Sequence, residues 1–180
     1  MKKHIFLIGF MGVGKTTVSQ KLKALMNADE IDMDAVIVRE NHMTISEMFE
    51  RFGEDYFREK ETELLRRIAG YKPTIVSCGG GCVMRKENVA LMKACGTIVL
   101  LTAEPVTVYH RVKNGTARPV LNGHMNVKYI AGRMEKRRAA DEGACDLSGS
   151  TDGTRPAQIA EEILGQITRS KDYTEGGNML

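Results

Sequence analysis

Residues 9–16 constrain the fold of this chain more than any other segment. They read Gly9-Phe10-Met11-Gly12-Val13-Gly14-Lys15-Thr16 and match the pattern G-x-x-x-x-G-K-[ST]. The apolar run at 4–8 predicts a short buried strand before this segment, and apolar residues at helical spacing in 17–27 predict a helix after it. Strand, glycine loop and helix in this order are the context in which the pattern forms a phosphate-binding loop. The alternative, a chance glycine turn before an ordinary helix, is disfavoured by these flanks.

The loop predicts binding of a nucleoside triphosphate, which we take to be ATP. Its glycines allow successive backbone N–H groups to converge on phosphate oxygens, and the following helix adds the positive end of its dipole. We expect Lys15 to reach the β- and γ-phosphates and the Thr16 hydroxyl to bind Mg²⁺ directly, because this cation prefers oxygen ligands. The predicted ATP-binding residues of the loop are Gly12, Val13, Gly14, Lys15, Thr16 and Thr17.

Composition excludes little but sets the class of protein. The chain has 180 residues, of which 42% are hydrophobic and 27% charged, and a formal net charge of +3, so neither a nucleic-acid nor a membrane partner is expected. No apolar run approaches the roughly 20 residues that cross a bilayer, and the strand begins too early for a signal peptide, so we expect a cytoplasmic protein.

The four cysteines lack metal-site spacing and are interpreted as free thiols. No exposed apolar stripe stands out, which favours a monomer.

Strands and helices alternate along the chain. We predict strands at 4–8, 29–33, 74–78, 97–101 and 145–147, and helices at 17–27, 35–41, 44–52, 53–69, 87–95, 105–112, 126–141 and from 156 onward. This alternation predicts an α/β fold, a parallel sheet covered by helices on both faces. We assign residues 1–169 to a single domain, with a mobile lid at about 113–125 and a flexible tail at 170–180.

Two aspartates follow the second predicted strand. Ligands of open α/β sheets bind outside the carboxyl ends of the strands, where Asp32 and Asp34 are expected. Asp32 can approach Mg²⁺, directly or through water, and Asp34 can accept a hydrogen bond from an acceptor hydroxyl and orient it for attack. Helix N-caps are the alternative role for both aspartates.

An arginine and a glycine cluster are the next candidates. Arg58 can bind a carboxylate bidentately while Glu61, one turn along the helix, holds its guanidinium, although a surface ion pair explains the same spacing. Gly79, Gly80 and Gly81 follow a buried strand and predict a close approach of backbone to a ligand. This strand lacks the aspartate that usually serves Mg²⁺ there, so Asp32 is expected to take over part of that role.

Two further arginines lie beyond the fourth strand. Arg118, in the polar segment assigned as the lid, can contact the transferring phosphoryl group, with a solvated turn residue as the alternative. Arg137 lies on a basic helix beside Lys136 and Arg138, and such a basic stripe is usually a solvated face.

Together these residues resemble the shikimate kinase family over residues 5–167. The phosphate loop alone is shared with many enzymes, but the order of the other motifs is specific: Asp32-x-Asp34, Gly53-Glu54-x-x-Phe57-Arg58-x-x-Glu61, Gly79-Gly80-Gly81 and Arg118-Pro119. The resemblance implies a three-layer fold related to the nucleoside monophosphate kinases, with a five-stranded parallel sheet in the order 2-3-1-4-5. It also implies phosphorylation of the 3-hydroxyl of shikimate by ATP and Mg²⁺, a step toward chorismate and the aromatic amino acids.

The resemblance also implies roles for individual residues. The catalytic residues would be Lys15, Asp34 and Arg118. The shikimate-binding residues would be Asp34, Arg58, Gly79, Gly80, Gly81 and Arg137, of which Asp34 and Arg58 lie in a substrate-binding region at about 33–61. Further ATP contacts would come from Arg111, Arg118, Arg155 and Pro156, with Arg111 and the Arg155-Pro156 turn beside the adenine. The metal ligands would be Thr16, directly, and Asp32, through water.

The chain departs from the family pattern in two places. The family has a tyrosine shortly after the second carboxylate-binding arginine, whereas this chain reads Arg137-Arg138-Ala139-Ala140-Asp141, which leaves open whether Arg137 or Arg138 faces the substrate. The lid has Val120 where leucine is usual. A related kinase of another small acceptor, such as gluconate, and a non-catalytic nucleotide-binding regulator are the rival functions.

Overall fold

The computed structural model describes residues 3–113 and 126–175, with side chains as far as residue 169. The predicted lid with Arg118 and Pro119, from residue 114 onward, and the last five residues lie outside the described residues. In the described part of the chain, no helix is both long enough and apolar enough to cross a membrane.

Five strands form one parallel sheet in the order β2-β3-β1-β4-β5. The strands are β1 (His4–Ile8), β2 (Asp29–Asp32), β3 (Thr74–Ser77), β4 (Gly96–Thr102) and β5 (Leu147–Ser150). The first four agree with the predicted strands within one residue. The fifth begins two residues later than predicted and is an edge strand of alternating half-buried and exposed residues, so it lacks the apolar run that marks the others.

Within residues 3–113 and 126–175, eight α-helices connect or follow the strands, and a short 3-10 helix lies at Cys82–Met84. They are α1 (Lys15–Met26), α2 (Met33–Asn41), α3 (Ile45–Phe52), α4 (Glu54–Ile68), α5 (Lys86–Cys95), α6 (Pro105–Val112), α7 (Val127–Ala144) and α8 (Pro156–Glu175). The predicted capping box of α3 is confirmed, because the Glu47 carboxylate accepts from Thr44 N at 2.7 Å and Glu47 N donates to the Thr44 hydroxyl at 3.2 Å. Helix α8 includes six residues of the predicted tail. Polar residues such as Lys171 have good helix propensity, so their polarity alone does not end a helix.

Helices cover both faces of the sheet, as predicted. Ile5 and Leu7 of β1 pack into a core with α1, α6 and α8, while Phe6 and Ile8 pack into a second core with α2, α4 and α5. Each central strand is therefore buried on both sides, which explains its continuous apolar run. All four cysteines are free thiols, of which Cys78 and Cys82 are buried.

The strand order decides where the site forms. Because β2, β3 and β1 are neighbours and parallel, their carboxyl ends lie side by side. The segments that follow these ends are Asp32-Met33-Asp34, Gly79-Gly80-Gly81 and the glycine loop 9–14. The sheet therefore gathers three motifs that are separated by up to 70 residues along the chain.

Candidate active site

A cavity of about 890 Å³ lies over the carboxyl ends of these strands. It is lined by residues of the glycine loop, by Asp32 and Asp34, by Arg58 of α4 and by Arg137 of α7. Apolar side chains form part of its wall, namely Ile45, Phe49, Phe57 and Met84. The cavity thus combines a phosphate-binding end with an end that presents charged groups against an apolar wall.

The glycine loop adopts backbone conformations that favour glycine at three positions. Gly9, Gly12 and Gly14 have φ values of +132°, +78° and +103°, and a side chain on Gly9 would overlap the Leu101 carbonyl. Lys15 Nζ donates to the carbonyls of Gly9 at 2.9 Å and Phe10 at 3.1 Å, so the lysine lies across the mouth of the loop. The loop is thereby held in the curved form that phosphate binding uses.

The loop is also held from the far side by Thr151, which follows β5, and by Arg111 of α6. The buried Thr151 hydroxyl donates to the Val13 carbonyl at 2.8 Å, and Arg111 Nη1 donates to the same carbonyl at 3.1 Å. Arg111 also donates to the Thr151 carbonyl at 2.9 Å. Sequence reasoning placed Arg111 near the nucleotide but missed Thr151, because one threonine after an edge strand carries no recognisable pattern.

Thr16 and Asp32 meet where a metal is expected. The Thr16 hydroxyl donates to Asp32 Oδ2 at 2.9 Å, and the other oxygen, Oδ1, accepts from Ala35 N at 3.2 Å. Asp32 therefore caps α2 and contacts Thr16 at the same time, so the N-cap role is confirmed and the metal role stays a prediction. A hydroxyl and a carboxylate oxygen at the end of a phosphate loop fit Mg²⁺, which typically takes one or two protein oxygens and completes its shell with phosphate and water.

Arg58 is fixed from two directions on its own helix. Its Nη1 donates to Glu61 at 2.7 Å, and its Nε and Nη2 donate to Glu54 at 3.0 and 2.6 Å. The Glu61 side chain is fully buried, and the Arg58 side chain is 15% exposed. The surface ion pair considered for Arg58 is therefore wrong.

Burial raises the pKa of Glu61 to about 7. The attraction of Arg58 lowers this pKa and the repulsion of Asp34 raises it, but loss of hydration is the largest cause. Glu61 consequently titrates near neutral pH, in direct contact with an arginine of the cavity. The sequence placed Glu61 beside Arg58, but neither its burial nor its nearness to Asp34 could be predicted.

The three glycines after β3 are explained by what approaches them. A Cβ on Gly79 would overlap Glu61 Oε1 and lie 2.8 Å from Asp34 Oδ1, and a Cβ on Gly81 would overlap the guanidinium of Arg58. Gly80 faces Arg137, since Nη1 of Arg137 would lie 3.6 Å from its Cβ. Gly80 and Gly81 line the cavity as predicted, whereas Gly79 does not. The missing side chain of Gly79 leaves room for the carboxylates of Glu61 and Asp34.

Arg137 of α7, and not Arg138, faces the cavity. Arg137 is 12% exposed and lies over the Phe10 ring at 5.8 Å, whereas Arg138 is 60% exposed and pairs with Glu135 on the outer surface. Arg133 and Lys136 line the cavity on the same helix face. The spacing i, i+3, i+4 of these three cations was visible in the sequence, but it was interpreted as a solvated face.

The remaining predicted nucleotide contacts lie apart from this cavity. Arg155 is exposed just before α8, and Pro156 is half-buried at its first position, and neither is among the residues that line the cavity. Arg118 lies outside the described residues.

Fold and site together define a P-loop kinase that acts on a small anionic acceptor. The family model described as shikimate kinase matches residues 11–168. A relative of that name from Thermodesulfovibrio yellowstonii is 37% identical over 93% of this chain and 96% of its own length, and one from Persephonella marina is 39% identical over 92% and 99%. The chain belongs to the shikimate kinase family, and it is an ATP-dependent shikimate phosphotransferase.

Solved structures agree with this assignment. Shikimate kinase from Acinetobacter baumannii, in complex with shikimate, has a TM-score of 0.89 at 28% identity and covers 94% of each chain. Shikimate kinase from Aquifex aeolicus has a TM-score of 0.80 at 29% identity over 93% of this chain and 98% of its own. A gluconokinase from Sinorhizobium meliloti has a TM-score of 0.67 at 17% identity, which shows a shared fold alone. The family match disfavours both rival functions.

Proposed function

We propose that the chain transfers the γ-phosphoryl group of ATP to the 3-hydroxyl of shikimate, giving shikimate 3-phosphate and ADP. The observation that supports this most directly is the convergence of Arg58 and Arg137, from two helices, on neighbouring glycines beside Asp34 and the phosphate loop. Shikimate is a small cyclic polyol with one carboxylate. Two arginines suit its carboxylate, and a carboxylate suits its hydroxyls.

Acceptor binding follows from the charged end of the cavity. Arg58 and Arg137 hold the substrate carboxylate, with Gly80 and Gly81 giving the ring close access to the backbone. Asp34 accepts hydrogen bonds from the substrate hydroxyls, including the one that attacks. Phe49 and Phe57 exclude water from the apolar side of the ring, which strengthens these polar contacts.

Phosphoryl transfer is governed by positioning and charge. The 3-hydroxyl oxygen forms a bond to the γ-phosphorus as the bond to the bridging oxygen of ADP breaks, and Asp34 receives the hydroxyl proton. Lys15 turns from the loop carbonyls to the β- and γ-phosphates, and Arg118 of the lid contacts the same group. Thr16 and Asp32 would hold Mg²⁺, which would neutralise phosphate charge when bound.

The nucleotide base occupies the other end of the site. Arg111, fixed against the loop by Thr151, lies beside the adenine together with the Arg155-Pro156 turn. The enzyme acts as a monomer in the cytoplasm, for which its four free thiols are suited.

A coupled assay of ADP release tests the acceptor assignment. Shikimate is expected to support turnover, whereas gluconate and nucleoside monophosphates are not. Turnover with gluconate at a comparable kcat/KM would contradict the proposal. Exchange of Asp34 for alanine separates the roles within it: turnover is lost while ATP binding, measured by calorimetry, stays near that of the wild type.

A further inference from the structure

Arg137 is held by a carboxylate of its own helix. Asp141 lies one turn after Arg137, and its two oxygens accept from Arg137 Nε and Nη2, each at 2.7 Å. The two side chains are 10% and 12% exposed, so water screens the pair weakly. Such a two-point bond between planar groups fixes both the position and the plane of the guanidinium.

We propose that Asp141 is a positioning residue for substrate binding, acting through Arg137. The inference rests on the proposed role of Arg137 in holding the substrate carboxylate. An arginine carries five N–H donors in a fixed planar fork. Asp141 occupies the edge formed by Nε and Nη2, and Nη1 makes no hydrogen bond within the described residues.

The edge of Arg137 that Asp141 leaves open lies next to the substrate end of the cavity. Nη1 lies beside Gly80, one of the lining glycines, and the Phe10 ring supports the guanidinium at 5.8 Å. The edge formed by Nη1 and Nη2 can therefore receive a second carboxylate end-on while Asp141 keeps the first edge. Asp141 thus orients Arg137 and does not compete with the substrate.

Arg58 is held in a comparable way, which supports this assignment. Its Nε and Nη2 both donate to one oxygen of Glu54, along the edge that Asp141 takes on Arg137, while its Nη1 also donates to Glu61. Both arginines of the cavity are thus restrained along the same edge before substrate arrives. A restrained side chain loses less rotamer freedom on binding, which strengthens the binding that follows.

Steady-state kinetics of Asp141→Asn test the proposal. The amide keeps the shape but weakens the two-point bond, so KM for shikimate is expected to rise about tenfold, with kcat and KM for ATP close to the wild type. Glu135→Gln is the matched control, because it removes an exposed carboxylate–arginine pair from the same helix. An unchanged or lowered KM for shikimate in Asp141→Asn would overturn the proposal.

A double-mutant cycle separates positioning from a general structural role. In an Arg137→Ala background, Asp141→Asn is expected to cause no further rise in KM for shikimate, whereas additive effects would show that Asp141 acts by another route. If Arg137→Ala itself leaves this KM unchanged, the proposed role of Arg137 fails. If Arg137→Ala raises it and Asp141→Asn alone does not, only the positioning role of Asp141 fails. Thermal unfolding of each variant identifies any that do not fold. If Asp141→Asn does not fold, Asp141→Ser replaces it in the cycle, and if Arg137→Ala does not fold, Arg137→Lys replaces it.

Discussion

Exchange of Gly79 for alanine is expected to damage both stability and acceptor binding. The added methyl group would overlap Glu61 Oε1 and lie 2.8 Å from Asp34 Oδ1. Glu61 cannot move aside easily, because its side chain is fully buried and its other oxygen accepts from Arg58 at 2.7 Å. The methyl group must therefore separate Glu61 from Arg58 or displace the loop after β3.

The expected loss combines two effects. Overpacking of a buried position costs about 1–3 kcal/mol, and disturbing a buried ion pair adds to it, so we expect the free energy of unfolding to fall by about 2–4 kcal/mol. For a chain of this size, such a loss lowers the melting temperature by about 5–15 °C. KM for shikimate is expected to rise because Arg58 loses one of its supports, while KM for ATP is unchanged.

Denaturant unfolding and steady-state kinetics measure the two effects. Gly132→Ala is the matched control: Gly132 is exposed in the middle of α7, and a Cβ added there would have no neighbouring atom within 4 Å among the described residues. This control is expected to gain about 0.5–1 kcal/mol, because alanine loses less backbone freedom in a helix. If Gly79→Ala unfolds like the wild type and keeps its KM for shikimate, the close approach of Glu61 is not the reason for this glycine.

Three further changes test the site. The first concerns Glu61, which faces Arg58, Asp34 and Arg85. Its pKa is about 7 in the folded state and 4.5 in the unfolded chain, so between pH 4.5 and 7 the folded state binds a proton that the unfolded chain has lost. The free energy of unfolding is therefore expected to fall by roughly 3 kcal/mol as pH rises through this window, relative to Glu61→Gln. Urea unfolding measures this, and a difference between the two proteins that does not change with pH would contradict it. Arg58→Ala should raise KM for shikimate by an amount worth about 2–5 kcal/mol while ATP affinity is kept, and an unchanged KM would remove Arg58 from the acceptor site. Thr16→Ala should raise the Mg²⁺ concentration required for half-maximal rate, whereas Thr16→Ser should not; equal behaviour of both variants would exclude the hydroxyl as a ligand.

Local patterns predicted the nucleotide half of the site well. The loop 9–16 needs a strand before it and a helix after it, and both were predicted from apolar spacing alone. Asp32 follows from the same logic, because the end of a buried strand marks the edge of the sheet where ligands bind. The motif carries its own structural context, so few long-range contacts are required to place it.

The acceptor half depended on contacts that the sequence does not encode locally. The glycines at 79–81 predicted a close approach of backbone to a ligand, but not that the side chains of Glu61 and Arg58, about 20 residues earlier, approach Gly79 and Gly81. Thr151 was missed and the start of β5 was predicted two residues too early. An edge strand of serine and glycine has no apolar period that would mark its bounds or the residue after it. The choice between Arg137 and Arg138 was left open from the sequence, and the structure decides it: Arg133 and Arg137 line the cavity, whereas Arg138 is exposed.

The paired arginines bear on how the site distinguishes its acceptor. Arg58 and Arg137 each carry a carboxylate partner, so the positive charge that they present to the cavity is largely balanced before any substrate binds. Net attraction is then a weak source of selectivity, because any anion would experience it. The directions of the remaining N–H groups are selective, since they are fixed by the partner carboxylates and suit a planar carboxylate held end-on. An acceptor with its carboxylate and hydroxyl at another separation would satisfy the arginines or Asp34, but not both, and the rigidity of these pairs would prevent the site from adjusting to it.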